Sequence, residues 1–73
     1  MNYYRYIINN DELKDFAGEV EYIPDGYIEY QPDGIYYKIK NGKITEVIGV
    51  AFDEEVARRR VENFLSGINV NIY

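Results

Sequence analysis

The sequence predicts one small α+β domain over residues 1–73, in which a helix packs on one face of an antiparallel sheet. Three turn signals, Pro24–Gly26, Pro32–Gly34 and Asn41–Gly42, follow one another at short intervals. The segments between them alternate apolar and polar residues, as strands with one buried face do. Near the C-terminus, apolar residues instead recur at helical spacing. Together these patterns predict the order β-α-β-β-β-β-α-β.

The N-terminal region predicts a strand followed by a short helix. Tyr3–Ile8 consists of aromatic and β-branched residues apart from one arginine, which favours a strand. Asn10 or Asp11 is a suitable N-cap for a helical turn that runs through Phe16, and Gly18 lies just beyond its end.

The central region predicts a four-stranded antiparallel meander. Proline presets the first dihedral of a turn and glycine accepts the positive φ that follows, while Asn41–Gly42 is a strong signal for a two-residue type I′ hairpin. The predicted strands are Glu19–Ile23, Tyr27–Gln31, Ile35–Lys40 and Lys43–Val50.

The Asn41–Gly42 turn also predicts which side chains share a face. It sets Ile39 opposite Ile44 and Ile35 opposite Ile48, and a slip of one residue would invert the burial of the whole strand. The predicted core face is Ile35, Tyr37, Ile39, Ile44 and Ile48, with Glu46 as its one charged member. The predicted outer face holds Tyr36, Lys38, Lys40, Lys43, Thr45 and Val47.

The C-terminal region predicts an amphipathic helix and a last strand. Asp53 is a good N-cap, and acidic residues follow it in the first turn. The apolar stripe comprises Val56, Ala57, Val61, Phe64 and Leu65. Gly67 is expected to end the helix, and the alternation in Ile68–Ile72 predicts a half-buried strand.

Composition argues against most enzyme classes. The chain has no Cys and no His, so disulfides and Cys/His zinc sites are excluded, and Ser66 has no histidine to activate it. No calcium-loop spacing or glycine-rich phosphate loop is present. We therefore expect a non-enzymatic protein without cofactor or metal. The absence of Cys and of any long apolar stretch suits a cytoplasmic protein, and the residue usage suits an AT-rich genome, such as that of a low-GC bacterium or its phage.

Two charged features have simple structural interpretations. Glu46 is a candidate acid–base residue because the predicted register turns it inward, but a position at the rim of the core, or a bond to Tyr37 or Arg60, explains it better. The run Arg58–Arg60 is expected to pair along the helix with Glu54, Glu55 and Glu62.

Charge is concentrated in the first half of the chain. Residues 1–33 hold eight of the thirteen acidic residues but only two of the eight basic ones, a net charge of −6 within a total of −5. Net negative charge repels a phosphate backbone, so nucleic-acid binding is disfavoured. A Pro24–Gly26 hairpin would set Glu21 opposite Glu29 and create one acidic face.

This acidic face predicts the function. We expect a small acidic inhibitor or adaptor, phage- or mobile-element-encoded, that docks on a basic surface of a host protein such as a nucleic-acid enzyme. The predicted partner-binding residues are Glu19, Glu21, Tyr27, Glu29 and Tyr36. A solvated face with no binding role explains the same acidic residues equally well.

Two alternatives involve other partners, and no membrane association is expected. Outward Tyr27 and Tyr36 beside Lys38, Lys40 and Lys43 resemble a stacking platform for single-stranded nucleic acid. An exposed edge strand could instead pair with a second copy to form a homodimer.

Overall fold

A computed structural model describes residues 2–9, 12–31 and 34–71 of the chain, without the side chains of residues 9, 12–17 and 68–71. It contains five strands and one helix, so the predicted α+β fold with a helix on one sheet face is confirmed. The elements are β1 (Asn2–Asn9), β2 (Glu12–Val20), β3 (Ile28–Tyr30), β4 (Ile35–Lys40), β5 (Lys43–Ala51) and α1 (Glu54–Asn71).

The sheet is antiparallel throughout, with the spatial order β2-β1-β5-β4-β3. Strands β3, β4 and β5 form a meander as predicted. The first strand of the predicted four-stranded meander, Glu19–Ile23, is wrong. Glu19 and Val20 instead end β2, which pairs with β1 at the opposite edge of the sheet.

The predicted short helix before Gly18 is also wrong, because β1 and β2 form a long hairpin. Its register runs from Tyr3 opposite Val20 to Asn9 opposite Glu12, and the proposed capping residues at 10 and 11 lie outside the described residues. A helix of one or two turns is marginal in water, so the seven cross-strand residue pairs of this hairpin outweigh the local capping signal.

The hairpin between β4 and β5 has the predicted turn but not the predicted faces. Asn41 and Gly42 have φ angles of 55° and 77°, as a type I′ turn requires, and Ile39 lies opposite Ile44. A β-bulge then makes Lys38 pair with Glu46, which leaves Thr45 as the extra residue.

This bulge reverses the predicted faces of three residues in β5. Val47 lies opposite Tyr37 on the helix side of the sheet, whereas Glu46 and Ile48 turn to the other side. Ile48 is nevertheless fully buried. The predicted inward position of Glu46 and outward position of Val47 are therefore wrong, because one inserted residue shifts the alternation beyond it.

The core lies between the sheet and α1. It contains Tyr6, Ile8, Ile35, Val47, Val61 and Phe64, with Tyr37, Ile44 and Leu65 packed against it. The Phe64 ring contacts Tyr30 and Tyr37, at centroid distances of 5.1 and 5.0 Å. Gly49 lets the helix approach closely, since a Cβ atom there would lie 2.8 Å from the Ala57 carbonyl oxygen.

The helix begins as predicted but ends later. The Val56 amide donates to Asp53 Oδ1 at 2.9 Å, which confirms Asp53 as the N-cap. Arg58 Nη2 lies 3.8 Å from Glu54 Oε1, so this predicted pair along the helix is present. The predicted end at Gly67 is wrong, because α1 continues to Asn71. The predicted strand Ile68–Ile72 is therefore wrong up to residue 71, and Ile72 lies outside the described residues. Continuing a helix adds one hydrogen bond per residue, whereas a new strand would first have to form a loop and reach an edge of the sheet. Among the described residues, no helix is long and apolar enough to cross a membrane.

The connection between β2 and β3 crosses the sheet, because these strands occupy its two edges. Four strand spacings amount to about 19 Å, and eight residue steps from Val20 to Ile28 can reach about 26 Å. The helix occupies one face, and Tyr27 bonds to Glu46 on the other. We therefore describe residues 21–27 as a crossing segment over the face opposite α1.

Candidate protein-binding surface

The predicted partner-binding residues do not form one patch. Glu19 lies opposite Tyr4 on β2, whereas Glu29 lies opposite Tyr36 at the other edge of the sheet. Tyr4 shares its face with the buried Tyr6, so Glu19 points to the helix side and Glu29 to the opposite side. Glu21 is exposed in the crossing segment. The predicted pairing of Glu21 with Glu29 is wrong, because Pro24–Gly26 belongs to that segment and not to a hairpin.

Tyr27 anchors the end of the crossing segment. Its hydroxyl donates to Glu46 Oε1 at 2.7 Å, and Lys38 Nζ lies 4.8 Å from the centre of its ring. Burial raises the pKa of Tyr27 to about 12, and the hydrogen bond to Glu46 adds to the effect. These contacts occupy both the hydroxyl and one face of the ring, so Tyr27 has a structural role.

Glu46 is the centre of a small charged cluster on the same face. Its Oε1 lies 3.7 Å from Arg5 Nη1, and its Oε2 lies 3.9 Å from Lys38 Nζ. The predicted partners Tyr37 and Arg60 are wrong, because the bulge turns Glu46 away from the helix; Arg60 donates instead to the Val50 carbonyl oxygen. A carboxylate held by two cations and a tyrosine hydroxyl fixes the crossing segment to the sheet.

Glu29 and Tyr36 are the two predicted residues that the structure brings together. They lie opposite each other on β3 and β4, and the Tyr36 hydroxyl donates to Glu29 Oε1 at 3.4 Å. Partial burial, followed by the neighbouring Glu29 carboxylate, raises the pKa of Tyr36. Glu29 itself is exposed.

Strand β3 is an edge strand with exposed apolar side chains. It pairs only with β4 within the described residues, so its outer backbone edge has no strand beside it. Ile28 and Tyr30 point to the helix side and are 46% and 39% exposed. Ile39, on the same side of β4, is 51% exposed. We call Ile28, Glu29, Tyr30, Tyr36 and Ile39 the β3 edge surface.

Sequence reasoning missed the three apolar members of this surface. The predicted meander places Ile28 and Tyr30 in an inner strand, Tyr27–Gln31, and Ile39 on the core face. A signal was present, because Pro24 and Pro32 flank β3 closely, and proline within sheets is confined mainly to edges and strand ends.

Two other aromatic side chains among the described residues are highly exposed, and both lie outside the strands. Phe52 is 81% exposed between β5 and α1, and Tyr22 is 69% exposed in the crossing segment. Isolated exposed apolar residues are normal on protein surfaces, whereas adjacent ones on an unpaired edge are unusual. Phe52 and Tyr22 therefore serve as reference positions for experiments on the β3 edge surface.

Neither a metal site nor a known relative suggests a different assignment for this surface. In the part of the chain that the structure describes, no group of three or more His, Cys, Asp or Glu residues could hold a metal ion. No protein-family model, curated protein or solved structure matches the chain. The function is therefore argued from the geometry of this surface.

Proposed function

We propose that this chain is a non-enzymatic protein-binding module that docks its partner through the β3 edge surface. The observation that carries the proposal is an unpaired edge strand with Ile28, Tyr30 and Ile39 exposed beside it. An unpaired edge offers backbone donors and acceptors to a partner, and neighbouring apolar side chains supply affinity.

Charge favours a basic partner. The chain carries a net charge of −5, and the charged residue of β3 is the exposed Glu29. Opposite charges on two proteins speed their association, and like charges disfavour association with the wrong partner. A small inhibitor or adaptor of a protein with a basic surface, such as a nucleic-acid enzyme, fits these properties. A cytoplasmic location is part of the proposal, because a chain without Cys needs no oxidising compartment.

The nucleic-acid alternative is less favoured by the geometry. A stacking platform needs free ring faces, but Lys38 covers the Tyr27 ring and Glu46 binds its hydroxyl. A homodimer is the second candidate, because the free edge of β3 could pair with a second copy. Sedimentation at two concentrations would detect that dimer.

Site-specific photo-cross-linking tests the proposal. A benzophenone amino acid is placed at position 28 and, as controls, at the exposed positions Tyr22 and Phe52, in cells of the organism that encodes the chain. We expect one partner protein to be cross-linked strongly from position 28 and weakly from the controls. An adduct of twice the chain mass would favour the homodimer. Equal labelling from all three positions, or labelling from position 52 alone, would contradict the proposal.

A further inference from the structure

We infer that the partner inserts an extended segment with the pattern apolar–basic–apolar, which adds as a new strand beside β3. The inference rests on the proposed function and specifies the chemistry of the partner at the same surface. It follows from the alternation of side chains in β3 and from the charge that this alternation exposes.

The alternation in β3 separates apolar and charged contacts. Ile28 and Tyr30 point to the helix side, whereas Glu29 points to the side occupied by the crossing segment. Residues directly opposite each other in paired strands share a face, with their Cβ atoms about 4.5–5.5 Å apart. The partner residue opposite Glu29 therefore lies on the same face as the Glu29 carboxylate. The partner residues before and after that position lie on the helix side, beside Ile28 and Tyr30.

Glu29 favours a cation at the central position. Its hydrogen bond with Tyr36 is long, at 3.4 Å, and its side chain is exposed. The nearest base on the same face of β4, Lys38, interacts with Glu46 and Tyr27. A Lys or Arg opposite Glu29 would form a cross-strand ion pair, whereas Asp or Glu there would be repelled.

The same charge disfavours a second copy of this chain as the occupant. The antiparallel register that pairs all three residues of β3 with those of another copy sets the two Glu29 carboxylates opposite each other. Each copy also carries a net charge of −5. A heterologous strand with a central cation avoids both repulsions.

A displayed random heptapeptide library tests the inference, with the immobilised protein as bait. Three baits are compared: the parent, Glu29→Lys, and Glu19→Lys as the matched control. Both variants change the net charge equally, and Glu19 is an exposed acid on the other edge strand, β2. We expect the parent and Glu19→Lys to select Lys or Arg flanked by Val, Ile, Phe or Tyr. Glu29→Lys should select Asp or Glu at the centre and bind the parent's peptides roughly tenfold more weakly.

A fourth bait, Ile28→Ala, separates failure of the inference from failure of the proposed function. If Ile28→Ala reduces enrichment but Glu29→Lys selects the parent's motif unchanged, the surface binds peptides and the basic pattern is wrong. If neither variant alters selection, or no bait enriches any peptide, both proposals are wrong. Self-association of the parent that is abolished by Ile28→Ala would replace the peptide with a second copy and also overturn the inference.

Discussion

Replacing Gly49 with alanine is expected to destabilise the fold, because α1 crosses β5 directly over this residue. A Cβ atom at Gly49 would lie 2.8 Å from the Ala57 carbonyl oxygen and 2.9 Å from Val61 Cγ2. Non-bonded carbon atoms pack best at about 3.5–4.0 Å, so α1 must move outward. The Ala57 atom belongs to the helix backbone and cannot rotate away. Overpacking of this kind typically costs about 1–3 kcal/mol, a large part of the roughly 4–11 kcal/mol expected for 73 residues.

Urea unfolding followed by circular dichroism measures this cost, and Gly67→Ala is the matched control. Apart from the adjacent residues and the backbone of α1 itself, no described atom lies within 4 Å of a Cβ atom at Gly67, which is exposed in α1. Alanine there should stabilise the protein by about 0.5–1 kcal/mol, because it is the better helix former. Parent-like stability of Gly49→Ala would refute the close helix–sheet contact. Destabilisation by Gly67→Ala would show instead that the helix ends at residue 67.

Three further predictions concern the core, the crossing segment and the helix start. Phe64→Ala should cost about 3–5 kcal/mol and lower the melting temperature strongly in circular dichroism; a parent-like melt would contradict the packing described. The pKa of Tyr27 in the folded chain is about 12, above its ordinary value of 10.0. The stability that its protonated hydroxyl contributes is therefore fully present below pH 10 and is lost as the pH rises toward 12. Tyr27→Phe should lose less stability than the parent between pH 10 and 12 in pH-dependent unfolding, and an unchanged profile would count against the burial of Tyr27 and its bond to Glu46. Asp53→Ala should cost about 1 kcal/mol in thermal melting, whereas no change would argue against the cap.

Elements specified by local chemistry were predictable from the sequence. Asn41–Gly42 determines its own turn because both residues tolerate positive φ, and Asp53 with the stripe behind it determines where α1 begins. The β-bulge at Thr45 has no comparable local signal in the sequence. It places the side chains of Glu46, Val47 and Ile48 on the faces of the sheet opposite to those predicted. Its cause is tertiary, because Val47 on the helix side packs in the core with Val61 and Phe64.

The candidate site was only partly predictable, for the same reason. Glu29 and Tyr36 were correctly placed opposite the helix because they lie within the local meander. Their grouping with Glu19 and Glu21 depended on a hairpin at Pro24–Gly26, but that turn signal fits a crossing segment equally well. Long-range strand pairing determines which strand lies at the edge of the sheet. The exposure of the apolar residues in β3 could therefore be recognised only from the structure.

Amide hydrogen exchange in the complex tests the central claim, strand addition at β3, most directly. The full chain is compared alone and with the strongest-binding heptapeptide selected by the parent bait. Strand addition predicts that amides in β3 exchange more slowly in the complex, because the outer edge of the strand becomes hydrogen-bonded, while amides of β2 at the opposite edge remain unchanged. Slower exchange in β2 or α1 with no change in β3 would contradict the account.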